Sequence, residues 1–206
     1  MANTDAPFGL RPIKHKGGAP YTGAANPYYI PSTYATALFI GDPVIKTGTA
    51  NTAEVTEPGA GKFIPGSLPE INKATAGDGN AITGVIVGFS PDPDNLSRSY
   101  NPASTERIAY VCDDPDVIFE IQADGAIAAT QVGLNAVLIY TNAGSTTTGL
   151  SGVELDTSSD APAADASNQL TILRVVNRTD NEAGSANTKV EVKINQHTES
   201  NNVIGI

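Results

Sequence analysis

The chain has 206 residues, with 12 Lys and Arg against 22 Asp and Glu for a formal net charge of −10, and it contains 14 Pro and a single Cys. That length can bury a core without disulfides or metals, and one cysteine rules out an intrachain disulfide and fits a reducing compartment. The acidic balance excludes nonspecific binding to nucleic acid, and no apolar run approaches the roughly 18 residues of a membrane-spanning helix.

Residues 1–35 come first and stand apart. Pro7, Pro12, Pro20, Pro27 and Pro31 fix φ and remove amide donors, so a helix is excluded and a central strand is disfavoured. Yet the same stretch holds Phe8, Leu10, Ile13, Tyr21, Tyr28, Tyr29, Ile30 and Tyr34, more aromatic surface than a disordered tail carries. It is also basic. Residues 1–50 hold Arg11, Lys14, Lys16 and Lys46 against Asp5 and Asp42, a net +2, which leaves −12 for the rest. The expectation is an extended N-terminal arm whose Phe8, Leu10, Arg11, Ile13, Lys14, Lys16, Tyr21, Tyr28, Tyr29 and Tyr34 meet a partner surface. Two blander readings stay open: the basic residues form a solvated tail, and the tyrosines cover the chain's own core. The opening Met1-Ala2-Asn3-Thr4-Asp5 lacks the charged start and apolar stretch of a signal peptide, so a soluble, non-secreted chain is expected.

Residues 36–206 read as a β-rich domain able to fold without the arm. Strands are predicted at 36–40 and 44–47 around Gly41-Asp42-Pro43, weakly at 51–57, then at 81–89. The runs 107–112 and 117–122 flank Asp113-Asp114-Pro115-Asp116, which reads as a hairpin turn. Further strands are predicted at 132–140, 169–177 and 188–196. In the last, Val190, Val192 and Ile194 alternate with Lys189, Glu191 and Lys193, the pattern of a half-buried strand. Residues 126–131 suit one helical turn. Long loops are expected at 58–80 and 156–167. Many short strands split by turn clusters indicate an all-β fold, a single sandwich or barrel.

The residues give little support for catalysis. The chain has only two histidines, His15 and His197, and no zinc spacing. Cys112 sits among apolar neighbours and reads as a structural thiol. Gly59-Ala60-Gly61-Lys62 fails as a phosphate loop, having Thr56 and Phe63 where glycine and a hydroxyl residue are required. Gly149-Leu150-Ser151-Gly152 ends on Val153 where a nucleophile elbow needs glycine. Asp113, Asp114 and Asp116 share one turn and Asp92 and Asp94 another, but neither has calcium-loop spacing, and aspartate favours turns in its own right. No cofactor and no metal are expected, and a glycan hydrolase with an acidic site is the enzymatic alternative.

Several stretches carry a resemblance: Ala6-Pro7-Phe8-Gly9-Leu10-Arg11-Pro12, Tyr21-Thr22-Gly23-Ala24, Tyr28-Tyr29-Ile30-Pro31, Val132-Gly133-Leu134-Asn135, Thr148-Gly149-Leu150-Ser151 and Val192-Lys193-Ile194-Asn195-Gln196-His197. Together they resemble the capsid cement or decoration proteins of tailed bacteriophages, encoded near the major capsid gene. The resemblance implies a jelly-roll-like or barrel β domain on the capsid exterior, made in the host cytoplasm. Its partners would be the major capsid protein and other copies of itself, with no nucleic acid, no membrane and no catalytic residues. Another virion component, such as a head fibre base, a tail part or a receptor-binding module, is the alternative.

Overall fold

The computed structural model describes residues 3–59 and 61–200. It is all-β. Among the described residues the one helical element is a single 3₁₀ turn at Ala129–Gln131, inside the segment predicted to make a helical turn. The strands are β1 (Arg11–His15), β2 (Asn26–Ile30), β3 (Pro43–Ala50), β4 (Val55–Glu57), β5 (Gly61–Phe63), β6 (Pro69–Lys73), β7 (Gly84–Phe89), β8 (Arg107–Cys112), β9 (Val117–Gln122), β10 (Asn135–Ala136), β11 (Leu138–Ile139), β12 (Glu154–Leu155), β13 (Leu170–Val175) and β14 (Lys189–Ile194).

They form two main bodies. One is a closed barrel in the order β2-β6-β3-β7-β8, antiparallel except where β2 meets β6 with Tyr29 opposite Glu70. The other is an open antiparallel sheet in the order β1-β9-β14-β13-β10. Small ribbons, β4–β5 and β11–β12, attach to them.

Alternation along single strands assigns the layers. In β8, Ala109 and Val111 point into the barrel beside Tyr28, Ile30, Leu38, Val44, Ile71 and Ile86. Ile108 points out and packs with Val55 and Leu68 beneath the β4–β5 ribbon. Tyr110, also outward, donates to Glu57. In β9 and β14, Phe119, Ile121, Val190, Val192 and Ile194 enter one core with Val85 and Cys112 from the barrel and with Leu138 and Leu155 from the β11–β12 ribbon. The inner face of the open sheet therefore packs against the barrel wall, and each large aliphatic buried there contributes about 1.5–3 kcal/mol. The alternation expected across 188–196 is present, with Glu191 and Lys193 on the opposite, partly exposed face.

Two buried polar side chains hold loops to the body. Asp42, fully buried, accepts from the Phe39 amide at 2.8 Å and the Ser151 hydroxyl at 2.6 Å and meets Lys73 at 2.9 Å. Gln169 accepts from the Gly77 and Leu138 amides and donates to the Thr75 and Asn80 carbonyls, which fastens the 75–80 loop to the open sheet.

Several expectations need correction. The runs 107–112 and 117–122 are strands but not a hairpin: β8 belongs to the barrel and β9 to the sheet. The intervening aspartates bind elsewhere. Asp113 accepts from Asn26 and Tyr28, Asp114 lies 3.2 Å from His15, and Asp116 lies 3.3 Å from Lys193. Residues 36–40 are not a strand; Leu38 and Ile40 make only single bridges, to Asn101 and Leu150. The predicted 58–80 loop contains β5 and β6, and 132–140 divides into β10 and β11.

Residues 3–35 lie on the chain's own body. They supply β1, the edge of the open sheet, and β2, a stave of the barrel. Leu10 and Tyr28 are buried in the chain's own clusters. The boundary at 35 therefore separates no independent unit. Gly9 and Gly41 are where the segment is pinned. Leu10 donates to the Gly41 carbonyl at 2.9 Å, and both glycines have positive φ, +71° and +93°. A Cβ on Gly9 would stand 2.5 Å from the Gly41 oxygen, and one on Gly41 would stand 2.6 Å from the Phe8 oxygen.

Candidate docking surface

The outer face of the open sheet is organised by register. Arg11 of β1 lies opposite Glu120 of β9, which lies opposite Glu191 of β14, which lies opposite Arg174 of β13. Two glutamates directly across a strand pair repel. Cations on both sides offset this: Arg11 and Arg178 reach Glu120 at 2.5 and 2.9 Å, and Lys14 and Arg174 reach Glu191 at 2.7 and 3.1 Å. On the next rung, Lys14 and Lys193 flank Ile118.

The two signs sit at different depths. The glutamate side chains are only 5% and 13% exposed, whereas Arg11 and Arg174 are 54% and 60% exposed. The Glu120 and Glu191 carboxylates lie down on the sheet and the Arg11 and Arg174 guanidiniums stand out from it, while at the margin the order reverses: Asp116 and Asp180 are more exposed than their partners Lys193 and Arg178. Arg11, Lys14, Lys16, Arg174, Arg178 and Lys193, half of the chain's 12 basic residues, lie on or beside this face of an otherwise acidic molecule. The edge of β1 is covered where the chain doubles back, His15 donating to Ala19 at 2.8 Å and Tyr21 to Ile13 at 3.2 Å.

Beside this face, at the seam between sheet and barrel, lies a groove of ≈ 230 Å³. Phe8, Leu10, Tyr21, Val87 and Leu150 form its apolar walls and Arg11 supplies its charge. The Arg11 guanidinium lies over the Phe8 ring at 4.9 Å. Five stretches that are distant in sequence, 8–12, 21, 40–41, 86–87 and 150, converge there.

The residues expected to bind a partner thus divide. Phe8, Arg11 and Tyr21 line the groove, and Lys14 and Lys16 lie by the charged face. Leu10 is part of the groove floor but is 1% exposed. Ile13 occupies the irregularity in β1 between Pro12 and Lys14 and is half-buried. The other tyrosines serve the barrel. Tyr28 is buried within it and donates to Asp113 at 2.8 Å; Tyr29 donates to Glu106 at 2.8 Å; the Tyr34 hydroxyl accepts from the Lys73 amide at 3.0 Å. Burial and the Glu106 carboxylate push Tyr29 up to about 12. Arg174, Arg178, Lys193, Val87 and Leu150 were missed. Lys193 was visible in an alternating strand, but its neighbourhood with Arg11 depends on β9 lying between β1 and β14.

A second cavity of ≈ 220 Å³ holds the other acidic turn, lined in part by Asp92, Asp94, Glu106 and Arg107. Asp92 and Arg107 there are committed to structure. Asp92 accepts from the Asp94 and Asn95 amides and from Arg98 at 2.8 Å. Burial pushes its carboxyl up, but those bonds and the arginines outweigh burial and hold it below the usual range. The buried Arg107 donates to the carbonyls of Ser90 and Tyr100. Cys112 is buried, and burial pushes its thiol up to about 11 despite a hydrogen bond with Tyr21, which makes a poor nucleophile at neutral pH. Among the described residues no group of three His, Cys, Asp or Glu is placed to hold a metal ion, and no helix is long and apolar enough to cross a membrane.

Compared with known proteins, the chain matches no family model, no curated protein and no solved structure.

Proposed function

We propose that this chain is a virion structural protein that seats on the outside of a tailed-phage capsid and bridges neighbouring major capsid subunits. The sequence resemblance supplies the class. The observation that carries the physical side is the clustering of cations: half of the basic residues lie on or beside one sheet face of a chain whose net charge is −10, with Arg11 and Arg174 standing out from it. Such a one-sided molecule lands on an acidic protein surface in a fixed orientation and repels nucleic acid elsewhere. Each exposed contact is weak, but a copy bridging two subunits gains avidity from the second attachment. Of the expected fold, this reading needs the all-β body alone; a jelly-roll-like path is not required by it.

The test is co-sedimentation of the purified chain with shells of the encoding phage from which it has been removed. Wild type should pellet with the shells, less so as salt rises. A triple variant, Lys16→Glu and Arg174→Glu at exposed positions and Lys193→Glu at a partly exposed one, should bind at least about tenfold more weakly. Wild type left in the supernatant, or a triple variant binding as wild type does, would overturn the reading. Electron microscopy of the particle that found the chain on the tail would assign it to another virion component.

A further inference from the structure

We infer that the seam groove receives Leu96 from a second copy of this chain. The groove offers apolar walls, Phe8, Tyr21, Val87 and Leu150, and a single charge, that of Arg11. Leu150 is itself 37% exposed, so apolar surface is left open to water there. The matching occupant is an apolar side chain with a carboxylate close by.

The chain's own surface supplies one. Four large hydrophobic residues are exposed among the described residues: Ile64, Leu96, Val132 and Leu150. Leu150 belongs to the groove. Ile64 follows Lys62, which already holds Glu54 at 2.5 Å and so leaves no free carboxylate beside it, and Val132 lies between Gln131 and Gly133 with no charge beside it. Leu96 is 83% exposed and comes two residues after Asp94. Asp94 makes no ion pair among the described residues, whereas its neighbour Asp92 is engaged by Arg98. Asp94 is thus available to meet the outer edge of the Arg11 guanidinium, which holds Glu120 through Nη2 and is 54% exposed, as Leu96 enters.

The segment bearing Leu96 is also preorganised. Pro91 and Pro93 restrict it, Asp92 accepts from the amides of Asp94 and Asn95 at 3.0 and 3.3 Å, and Asn95 accepts from the Ser97 amide at 3.1 Å. Docking a loop already held in shape loses little conformational entropy. Burying one leucine strengthens association by about 10- to 100-fold. Against that stands the repulsion of two chains each carrying −10. The resulting pair is weak, with a dissociation constant of about 10 µM to 1 mM. Salt screens the overall repulsion, so self-association should survive salt that weakens docking on an acidic shell. The inference does not depend on the proposed capsid role, since both copies are the isolated chain.

Sedimentation equilibrium of the full chain tests it, using wild type, Leu96→Ser and Leu150→Gln. Both substitutions are at exposed positions and neither adds charge. Wild type should show a mass that rises with concentration above the monomer, and each variant should associate at least about tenfold more weakly. An equimolar mixture of the two variants should regain association, because one keeps the groove and the other keeps Leu96. A wild type that stays monomeric to its solubility limit overturns the inference and leaves the groove to a segment of another protein. So does a variant that associates like wild type, or a mixture that stays monomeric.

Discussion

The barrel and the open sheet solve the same problem in opposite ways. The barrel closes on itself, fills its interior with Tyr28, Ile30, Leu38, Val44, Ile71, Ile86, Ala109 and Val111, and leaves few free hydrogen-bonding edges. The open sheet ends in two edge strands, β1 and β10, each met by a stretch of loop, and divides its faces, one apolar against the barrel and one charged toward water. Closure makes every stave necessary, because removing one exposes two edges and the interior at once. An open sheet can lose an edge strand and keep the rest. The charged face is therefore built on the more tolerant body, where surface residues can change without opening the fold.

The comparison breaks most visibly under truncation. Deleting residues 1–35 removes both β1 and β2, and the barrel should not close; circular dichroism and amide dispersion should report an unfolded or molten chain. Deleting only residues 1–16 removes β1 and Leu10 but leaves β2, and the protein should remain folded with a lower urea midpoint. If the two truncations behave alike, closure is not what distinguishes the bodies.

Gly9→Ala comes next. The new methyl group would sit at positive φ, 2.5 Å from the Gly41 oxygen and 2.6 Å from the Ser151 Cβ. Relief requires β1 to move away from the barrel, so unfolding should become easier by about 2 kcal/mol or more. Urea titration measures it, and an unchanged midpoint would mean that the seam is slack.

A smaller effect is expected from Arg11→Ala. Arg178 still serves Glu120, and the arginine side chain is 54% exposed, so the loss should be about 1 kcal/mol or less and should shrink in high salt. A loss insensitive to salt would point to packing on Phe8 as the main contribution.

The smallest effect is a slope. Burial holds the His197 imidazole below its ordinary value of 6.5, partly offset by Glu199. With the folded value depressed, the unfolded chain takes up the proton first. This contribution to stability is complete above the unfolded value and is lost as pH falls through the window below it. His197→Asn keeps an acceptor for the Glu199 amide, which the Nδ1 atom meets at 3.0 Å. Its melting temperature should fall less steeply than wild type as pH drops below about 6.5. Parallel slopes would remove His197 as the cause.

Much of the strand content was legible, and the pairing was not. The alternation in β14 assigned its faces correctly, and β7, β8, β9 and β13 were marked by β-branched and apolar runs. β2 was missed because Pro27 argued against an interior strand. The structure shows why proline is tolerated there: β6 pairs with β2 only at Tyr29, so at Pro27 the strand is flanked on one side, by Tyr110 of β8. β6 was missed because Pro69-Glu70-Ile71-Asn72-Lys73 carries one buried apolar residue, Ile71, in an otherwise half-exposed strand. For the docking surface, the basic run from Arg11 to Lys16 was visible as a charge excess. Its union with Arg174, Arg178 and Lys193 was not, since these residues are neighbours only through the sheet order. The charge pattern could not foretell that Arg11 and Lys14 lie over glutamates of their own chain.

The pairing of the first two strands also sets an order of events at the ribosome. β1 pairs with β9 and β2 with β8, so neither finds its antiparallel partner until residues 107–122 have been made. The apolar side chains of the first 35 residues must wait through that interval with their pairing surface unfilled. Contacts so distant in sequence favour slow folding, and the waiting segment is where misassociation would begin. The five prolines spread along it are poor partners for intermolecular sheet pairing and keep it soluble until the second half of the chain arrives.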